Sequence, residues 1–519
     1  MKTAVSLFGA AGVACLLAAP LAAQAPVSPT LQSQREAVAV LSRAIAAHGG
    51  YARARAAGSV SMRVQGVGYM VGQEVHPDTA RSPGTPAGGP APAQARTYLS
   101  DASGAWDVVE MFPSDTASRP SRRLVRTATD RFVFRYPNNT VQSVDAAAMR
   151  TVLAVTPYVP AILLSAWDRP AALRSAGRQR VGGAAYDVVT SADESGQQMS
   201  LFFDTRTSLL ARIETMAANE PFGLGVQEVA YSDYRPEGGL ALPHAVTMRL
   251  GGRTVGEMTV TRVDLSPRLD STTLTRPQGA TAGQPITVPA PPTAIRNLPV
   301  NRLAEGVYTI PEVLPGYLLM FADGGDYSTV IEADGSPALS ESVLRTVRET
   351  IPGKPVRYVV LTHHHYDHSG GLWAYIANNI TVVTTPGDVP FVRRIAALPR
   401  AWEGRMVGPL TPAIETVTGR RSYGSGPGAI EVYDVGPNPH AQEILVVYFP
   451  AQKLLYVPDI YGYFPGFTPP NLLVSFADRL ATLGLDIQAI LPAHAPQSTW
   501  AEFQTAVAQA RTALQASPR

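Results

Sequence analysis

From about Ser59 to Leu274 the hydrophobic positions come in short alternating runs, among them "SVSMRVQGVGYMVG", "RFVFRYP", "AYDVVTSAD", "MSLFFDTRTSLLARIETM" and "AVTMRLGGRTVGEMTVTRVD", broken by Gly, Asp and Asn turns. A period of two puts one set of side chains on each face of a strand, so this stretch predicts an antiparallel, β-rich domain. Ahead of it, "LQSQREAVAVLSRAIAAHGG" has helical spacing and stops at Gly49-Gly50, a suitable C-terminal cap. Within it, "HPDTARSPGTPAGGPAPAQAR" has too little apolar surface to bury and predicts a mobile loop.

"TRPQGATAGQPITVPAPPT", Thr275 to Thr293, has the composition of a semi-extended linker. Beyond it the pattern mixes strands ("GVYTIPEV", "YLLMFAD", "STVIEAD", "VRYVVL", "TVVTTP") with helices ("SPALSESVLRTVRETI" and one near "GLWAYIANN"). The end repeats the mixture, with "EILVVYFP" and "KLLYVPD" as a hairpin, helix "NLLVSFADRLATLG", strand "AILPAHA" and a last helix "WAEFQTAVAQARTALQ". Such alternation predicts a layered α/β domain. The expected organisation is residues 1–25 as an export signal, 26–274 β-rich with an N-terminal helix, 275–296 as linker and 297–519 as the α/β domain.

The export reading rests on "MKTAVSLFGAAGVACLLAAPLAAQA", which has one lysine, an apolar stretch and a small-x-small end at Ala23-Gln24-Ala25. It implies a periplasmic or secreted protein with no membrane span once the signal is cut. The 519 residues carry a formal charge of +2, with Lys2, Lys354 and Lys453 the only lysines, so no basic field for nucleic acid exists. Cys15, inside the signal, is the only cysteine, which excludes disulfides and thiolate chemistry from a mature chain and restricts any metal to N and O ligands.

Directly after "VRYVV" stands "LTHHHYDHSGG", with four of the nine histidines of the chain. Residues leaving the C-terminal edge of a buried strand sit where α/β proteins place their sites. In extended chain, His363 and His365 face one side and can share a metal; Asp367 and His368, after a turn, can face a second. Gly370 and Gly371 are expected to let the backbone pass close to the ions. Two metals need more ligands, and His440, Asp459 and His494, each in a loop beside a strand, are the candidates. His364 and Tyr366 are expected to point away, and His48, His76 and His244 to be structural or exposed. No G-x-S-x-G elbow and no phosphate-binding G-x-x-x-x-G-K-[ST] loop occurs.

The run "THHHYDH", with His440, Asp459 and His494, resembles the H-x-H-x-D-H signature and later ligands of the metallo-β-lactamase superfamily, over about Asn297 to Arg519. The resemblance implies an αββα sandwich with two zinc ions per chain. His363, His365 and His440 would hold one, Asp367, His368 and His494 the other, and Asp459 would bridge them. Asp367 and Asp459 would act at the reacting centre, and a hydroxide held between ions ~3.5–4 Å apart would be the nucleophile. Histidine and carboxylate ligands admit iron as well as zinc.

An aspartate at 459 resembles the esterase-, thioesterase-, lactonase- and phosphodiesterase-like branches and lowers the expectation of β-lactamase activity, leaving a weak class B-like β-lactamase as an alternative. A second departure lies at "VIEADGSP", where Glu332 and Ala333 occupy the place of the aspartate that many members carry. The pattern looks like a bacterial subgroup of exported hydrolases, which implies a small-molecule substrate and cleavage of an ester, thioester, lactone or amide. Trp373, Tyr461, Tyr463, Phe464 and Phe467 could shape a pocket or simply cover the core.

"MSLFFDTRTSLLARIE" and "VAYSDYRPEGGLALPHAVTMRLGG" are weakly similar to the half-barrel of outer-membrane lipoprotein carriers, whose concave apolar face could hold an acyl chain or other hydrophobic ligand. The competing function is therefore a carrier or interaction protein with little turnover.

Overall fold

The computed structural model describes residues 28–69, 72–77, 94–101, 105–114, 116–146, 148–149, 156–192, 196–286, 297–311, 313–314, 316–402, 405–462 and 468–516. The expected export signal, most of the Pro/Gly/Ala-rich loop, the second half of the expected linker, and Tyr463, Phe464 and Phe467 lie outside the described residues.

Among the described residues the β-rich part forms one 14-stranded sheet. Its centre is the antiparallel pairing of Ser59–Gly68 with Arg253–Asp264. One wing steps through Gln94–Asp101, Asp107–Phe112, Arg122–Arg126 and Arg131–Arg135 to Thr140–Ser143; the other returns from Leu240–Leu250 to an edge at Arg174–Val181. Alternation decides the faces: Val60, Met62 and Val64 turn to the core, beside Tyr98, Val109, Leu124 and Val133. Against this face pack the helices Pro29–Ala47, through Ala37, Leu41, Ala44 and Ile45, and Val159–Trp167, through Leu163 and Leu164. The face expected to hold a hydrophobic ligand is thus covered by helices of the same chain. The helix Val159–Trp167 lies inside the stretch expected to be β-rich and was not foreseen; "VPAILLSAW" is apolar nearly all round and lacks the polar face that helical periodicity needs to be visible.

The expected linker is partly sheet. Thr281–Ala282 pairs in parallel with Thr140–Val141, Ile286 bridges to Val144, and Leu274 and Ala280 pack on the opposite face against the cluster of Val108, Val125, Phe132, Phe134 and Val141. An edge strand with unpaired N–H and C=O groups accepts any extended segment that reaches it, proline-rich or not.

The rest of the chain stacks two sheets between helices. The seven-stranded sheet runs in the order Asn301–Ala304, Val307–Pro311, Leu318–Asp323, Ser328–Ile331, Val356–Val360, Thr381–Thr384, Ile414–Thr416. The six-stranded one holds Arg420–Tyr423, Ile430–Asp434, Leu445–Phe449, Leu454–Val457, Ala489–Pro492 and Ser498–Thr499. Tyr358 and Val360 face Leu454 and Tyr456 across the inner core, while Val359 turns outward to helices Pro337–Thr350, Leu372–Ala377 and Val389–Ala397. Leu455 and Val457 turn outward on the other side, to helices Pro470–Ala481 and Trp500–Ala516. Strands covered on both faces need apolar residues at successive positions, which is why "VRYVV" and "LVVYF" lack alternation. This is the expected αββα sandwich.

Candidate metal centre

The strand Val356–Val360 lies between Ser328–Ile331 and Thr381–Thr384, parallel to both. Beyond its end the chain stays extended to His365, then makes one helical turn, Tyr366–Ser369. That turn carries Asp367 and His368 round to join the side faced by His363. Gly370 and Gly371 each make a close approach within the chain. A Cβ on Gly370 would sit 1.9 Å from the Gly335 carbonyl oxygen, and one on Gly371 would sit 1.9 Å from Ser340 Oγ. The glycines therefore seat the loop that carries the candidate ligands against the start of helix Pro337–Thr350.

His440 comes from the loop before Leu445–Phe449, Asp459 from two residues past Leu454–Val457, and His494 from two residues past Ala489–Pro492. The structure brings all seven candidates together, in two groups that share Asp459: His363, His365, His440 and Asp459, and Asp367, His368, Asp459 and His494. His440 Nε2 is 3.2 Å from His363 Nε2 and 3.3 Å from Asp459 Oδ2. On the other side, Asp459 Oδ1 is 2.9 Å from His368 Nε2 and 2.7 Å from His494 Nε2, and Asp367 Oδ2 is 3.8 Å from His368 Nε2. Each oxygen of Asp459 thus serves one group. Tetrahedral coordination at zinc-like bond lengths separates neighbouring ligand atoms by ~3.4 Å, so both groups fit a divalent ion.

All seven side chains are buried. Burial, with the neighbouring rings adding to it, holds His363 and His365 well below the usual imidazole range, which keeps their nitrogens free to donate a lone pair. For Asp459, burial pushes upward but is outweighed by His368 and His494, so the carboxyl lies well below its ordinary range. For His368, burial pushes downward and is outweighed by Asp459, Glu332 and Asp367, so the ring lies well above its ordinary range. A concentration of negative charge that draws a proton here attracts a divalent cation for the same reason.

The rings are oriented from behind. The Thr362 hydroxyl donates to Glu332 Oε1 at 2.7 Å and so accepts from His363 Nδ1 at 3.0 Å, turning His363 Nε2 inward. Glu332 Oε1 also stands 3.2 Å from His368 Nδ1. Glu332 does this from a left-handed backbone, φ 80°, a conformation that costs a non-glycine about 1–3 kcal/mol. The Tyr317 hydroxyl donates to Asp367 Oδ2 at 2.9 Å, and its ring meets that of His494 edge-on at 4.1 Å.

A sequence profile described as "Metallo-beta-lactamase superfamily" matches residues 329–460, which include every candidate ligand but His494. Residues 329–460 of the C-terminal part belong to the metallo-β-lactamase superfamily. Among curated proteins, the alpha subunit of 2,4-dinitroanisole O-demethylase from Nocardioides sp. (strain JS1661) is 26% identical over 203 residues, 38% of this chain and 58% of the relative, so the match spans under two thirds of that protein. Among solved structures, the FIM-1 metallo-β-lactamase of Pseudomonas aeruginosa in its mono-zinc form is 20% identical with a TM-score of 0.32, over 42% of this chain and 97% of that one. A metallo-β-lactamase from Pontibacter korlensis is 21% identical with a TM-score of 0.33, over 41% of this chain and 99% of that one.

In this metallo-β-lactamase domain, His364 turns away from the ligand groups: its Nε2–H donates to the Glu74 carbonyl at 2.7 Å, and burial lowers its pKa to about 3. Tyr366 is exposed. Trp373 is a core residue, and Tyr461 packs against Phe503 with ring centroids 5.0 Å apart. Three residues at the centre had no signal in the sequence: Tyr317, and Gln73 and Glu74 from the β-rich part. The only sequence signal for Glu332 was its departure from the family aspartate.

Proposed function

We propose that this protein is an exported metallo-hydrolase that cleaves an ester, thioester, lactone or amide bond in a small molecule, and that its centre takes two zinc ions. The observation that carries this is the division of Asp459, one carboxylate oxygen to each histidine group. His363, His365 and His440 would hold one ion, Asp367, His368 and His494 the other, and Asp459 both. When bound, such ions make water a usable nucleophile near neutral pH and neutralise charge developing on the substrate.

The residues around them hold geometry. Thr362 and Glu332 fix which nitrogen His363 and His368 present, and Tyr317 holds one oxygen of Asp367 by donating to it. The covered apolar face of the 14-stranded sheet speaks against the carrier alternative.

Elemental mass spectrometry of the purified chain tests the metal, and a panel of esters, thioesters, lactones, amides and β-lactams tests the bond. The name of the Nocardioides relative adds 2,4-dinitroanisole to that panel. About two zinc ions per chain and turnover of one class support the proposal. Iron redirects it to redox chemistry, and a chain that takes no metal on reconstitution overturns it.

A further inference from the structure

The segment Gly72 to Pro77 follows the strand Ser59–Gly68 of the 14-stranded sheet, yet its contacts lie in the metal centre. Gln73 Nε2 donates to Asp367 Oδ1 at 2.6 Å, across 294 residues of chain. Since Tyr317 donates to the other oxygen, both oxygens of Asp367 are held. The Glu74 carbonyl accepts from His365 Nε2 at 3.0 Å as well as from His364. A carbonyl can only accept, so His365 carries its proton on Nε2. That leaves Nδ1, which is buried and has no hydrogen-bond partner among the described residues, as the nitrogen able to bind an ion.

The strap is itself anchored on both sides. Gly72 accepts at its carbonyl from Tyr366 N at 2.9 Å, and Val75 accepts from Gln442 N at 2.7 Å, two residues from His440. Gly72 has φ 80°, and a Cβ there would meet Tyr366 Cβ at 3.0 Å. Arg253, on the strand Arg253–Asp264, pairs with Glu74 Oε1 at 3.0 Å and donates to the Pro77 carbonyl at 2.5 Å. A buried polar side chain is costly unless engaged; the Gln73 amide is engaged by Asp367, and the Glu74 carboxylate by Arg253 and the Gly72 N–H, which fixes the Glu74 carbonyl beside His365.

We propose that this strap is a built-in part of the metal centre, with Gln73 positioning Asp367 and the Glu74 main chain positioning His365. The β-rich part of the chain then supplies orienting groups for both ions, and metal affinity depends on its docking. This rests on the reading of the site as a metal centre.

The test uses the full-length chain, loaded with Co2+ and titrated with a competing chelator while its visible absorption is recorded. Two variants are compared with wild type: Gln73→Ala, and Gln73→Met, which restores the volume but not the amide donor. Both are expected to bind one of the two ions roughly 10–100-fold more weakly, with altered cobalt absorption and unchanged far-UV circular dichroism. Wild-type affinity and absorption in Gln73→Met overturns the proposal, because Gln73 would then only fill space. If Gln73→Ala fails to fold, the methionine variant still decides. A wild-type chain that takes up no cobalt overturns the metal reading instead, which separates the two failures.

Discussion

His48 closes the first helix and is 2% exposed. Its Nδ1–H donates to the Ala44 carbonyl at 2.8 Å, and its Nε2 lies 3.5 Å from the Leu210 N–H, which can donate only to an unprotonated nitrogen. Burial lowers the pKa of the ring from 6.5 to about 4, with the Ala44 bond opposing the shift. The unfolded chain therefore takes up a proton between about pH 6.5 and 4 that the folded chain refuses. Stability from this group is present above pH 6.5 and is lost as pH falls through that window. At 1.36 kcal/mol per unit, the whole window is worth about 3 kcal/mol, and about 2 kcal/mol of it is lost between pH 7 and pH 5. Urea unfolding followed by tryptophan fluorescence at both pH values, on wild type and His48→Gln, isolates the effect, because titration of the metal centre is common to both chains. The wild type should lose about 2 kcal/mol more than the variant. Equal losses would show that His48 does not set the acid sensitivity of the β-rich part.

Asp459→Ala removes the carboxylate shared by both ligand groups and should abolish most turnover; retention of full activity and of both ions, by elemental analysis, would sink the bridging assignment. Glu332→Gln keeps the shape and one acceptor oxygen but removes the charge beside His368 Nδ1, and should weaken the ion at that site about 10–100-fold by chelator competition. Gly370→Ala drives a Cβ to 1.9 Å from the Gly335 carbonyl oxygen and should cost about 1–3 kcal/mol of stability, measured by denaturant unfolding; a neutral result would mean that the loop moves freely. Prolonged chelator treatment should lower the melting temperature and zinc should restore it, since an ion bound only by the folded state stabilises it by mass action.

The features legible in the sequence were local ones. "VRYVV" followed by "HHHYDH" places candidate ligands at a strand end, because strand alternation and one helical turn decide where successive side chains point. Helices such as Pro337–Thr350 and Pro470–Ala481 declared themselves by an apolar stripe, whereas Val159–Trp167, apolar nearly all round, did not.

Only the tertiary structure decided which distant segments meet. The pairing of Ser59–Gly68 with Arg253–Asp264 joins the two wings into one sheet, and Thr281–Ala282 becomes an edge strand, because backbone pairing is indifferent to side-chain identity. The hydrogen bond from Gln73 to Asp367 depends on how the β-rich sheet sits against the sandwich, and no spacing along the chain encodes that. The sequence by itself thus determined the types of the candidate ligands and the edge from which they emerge, since both follow from local geometry. The docking of one folded layer on another decided which backbone carbonyl and which amide hold those ligands in place.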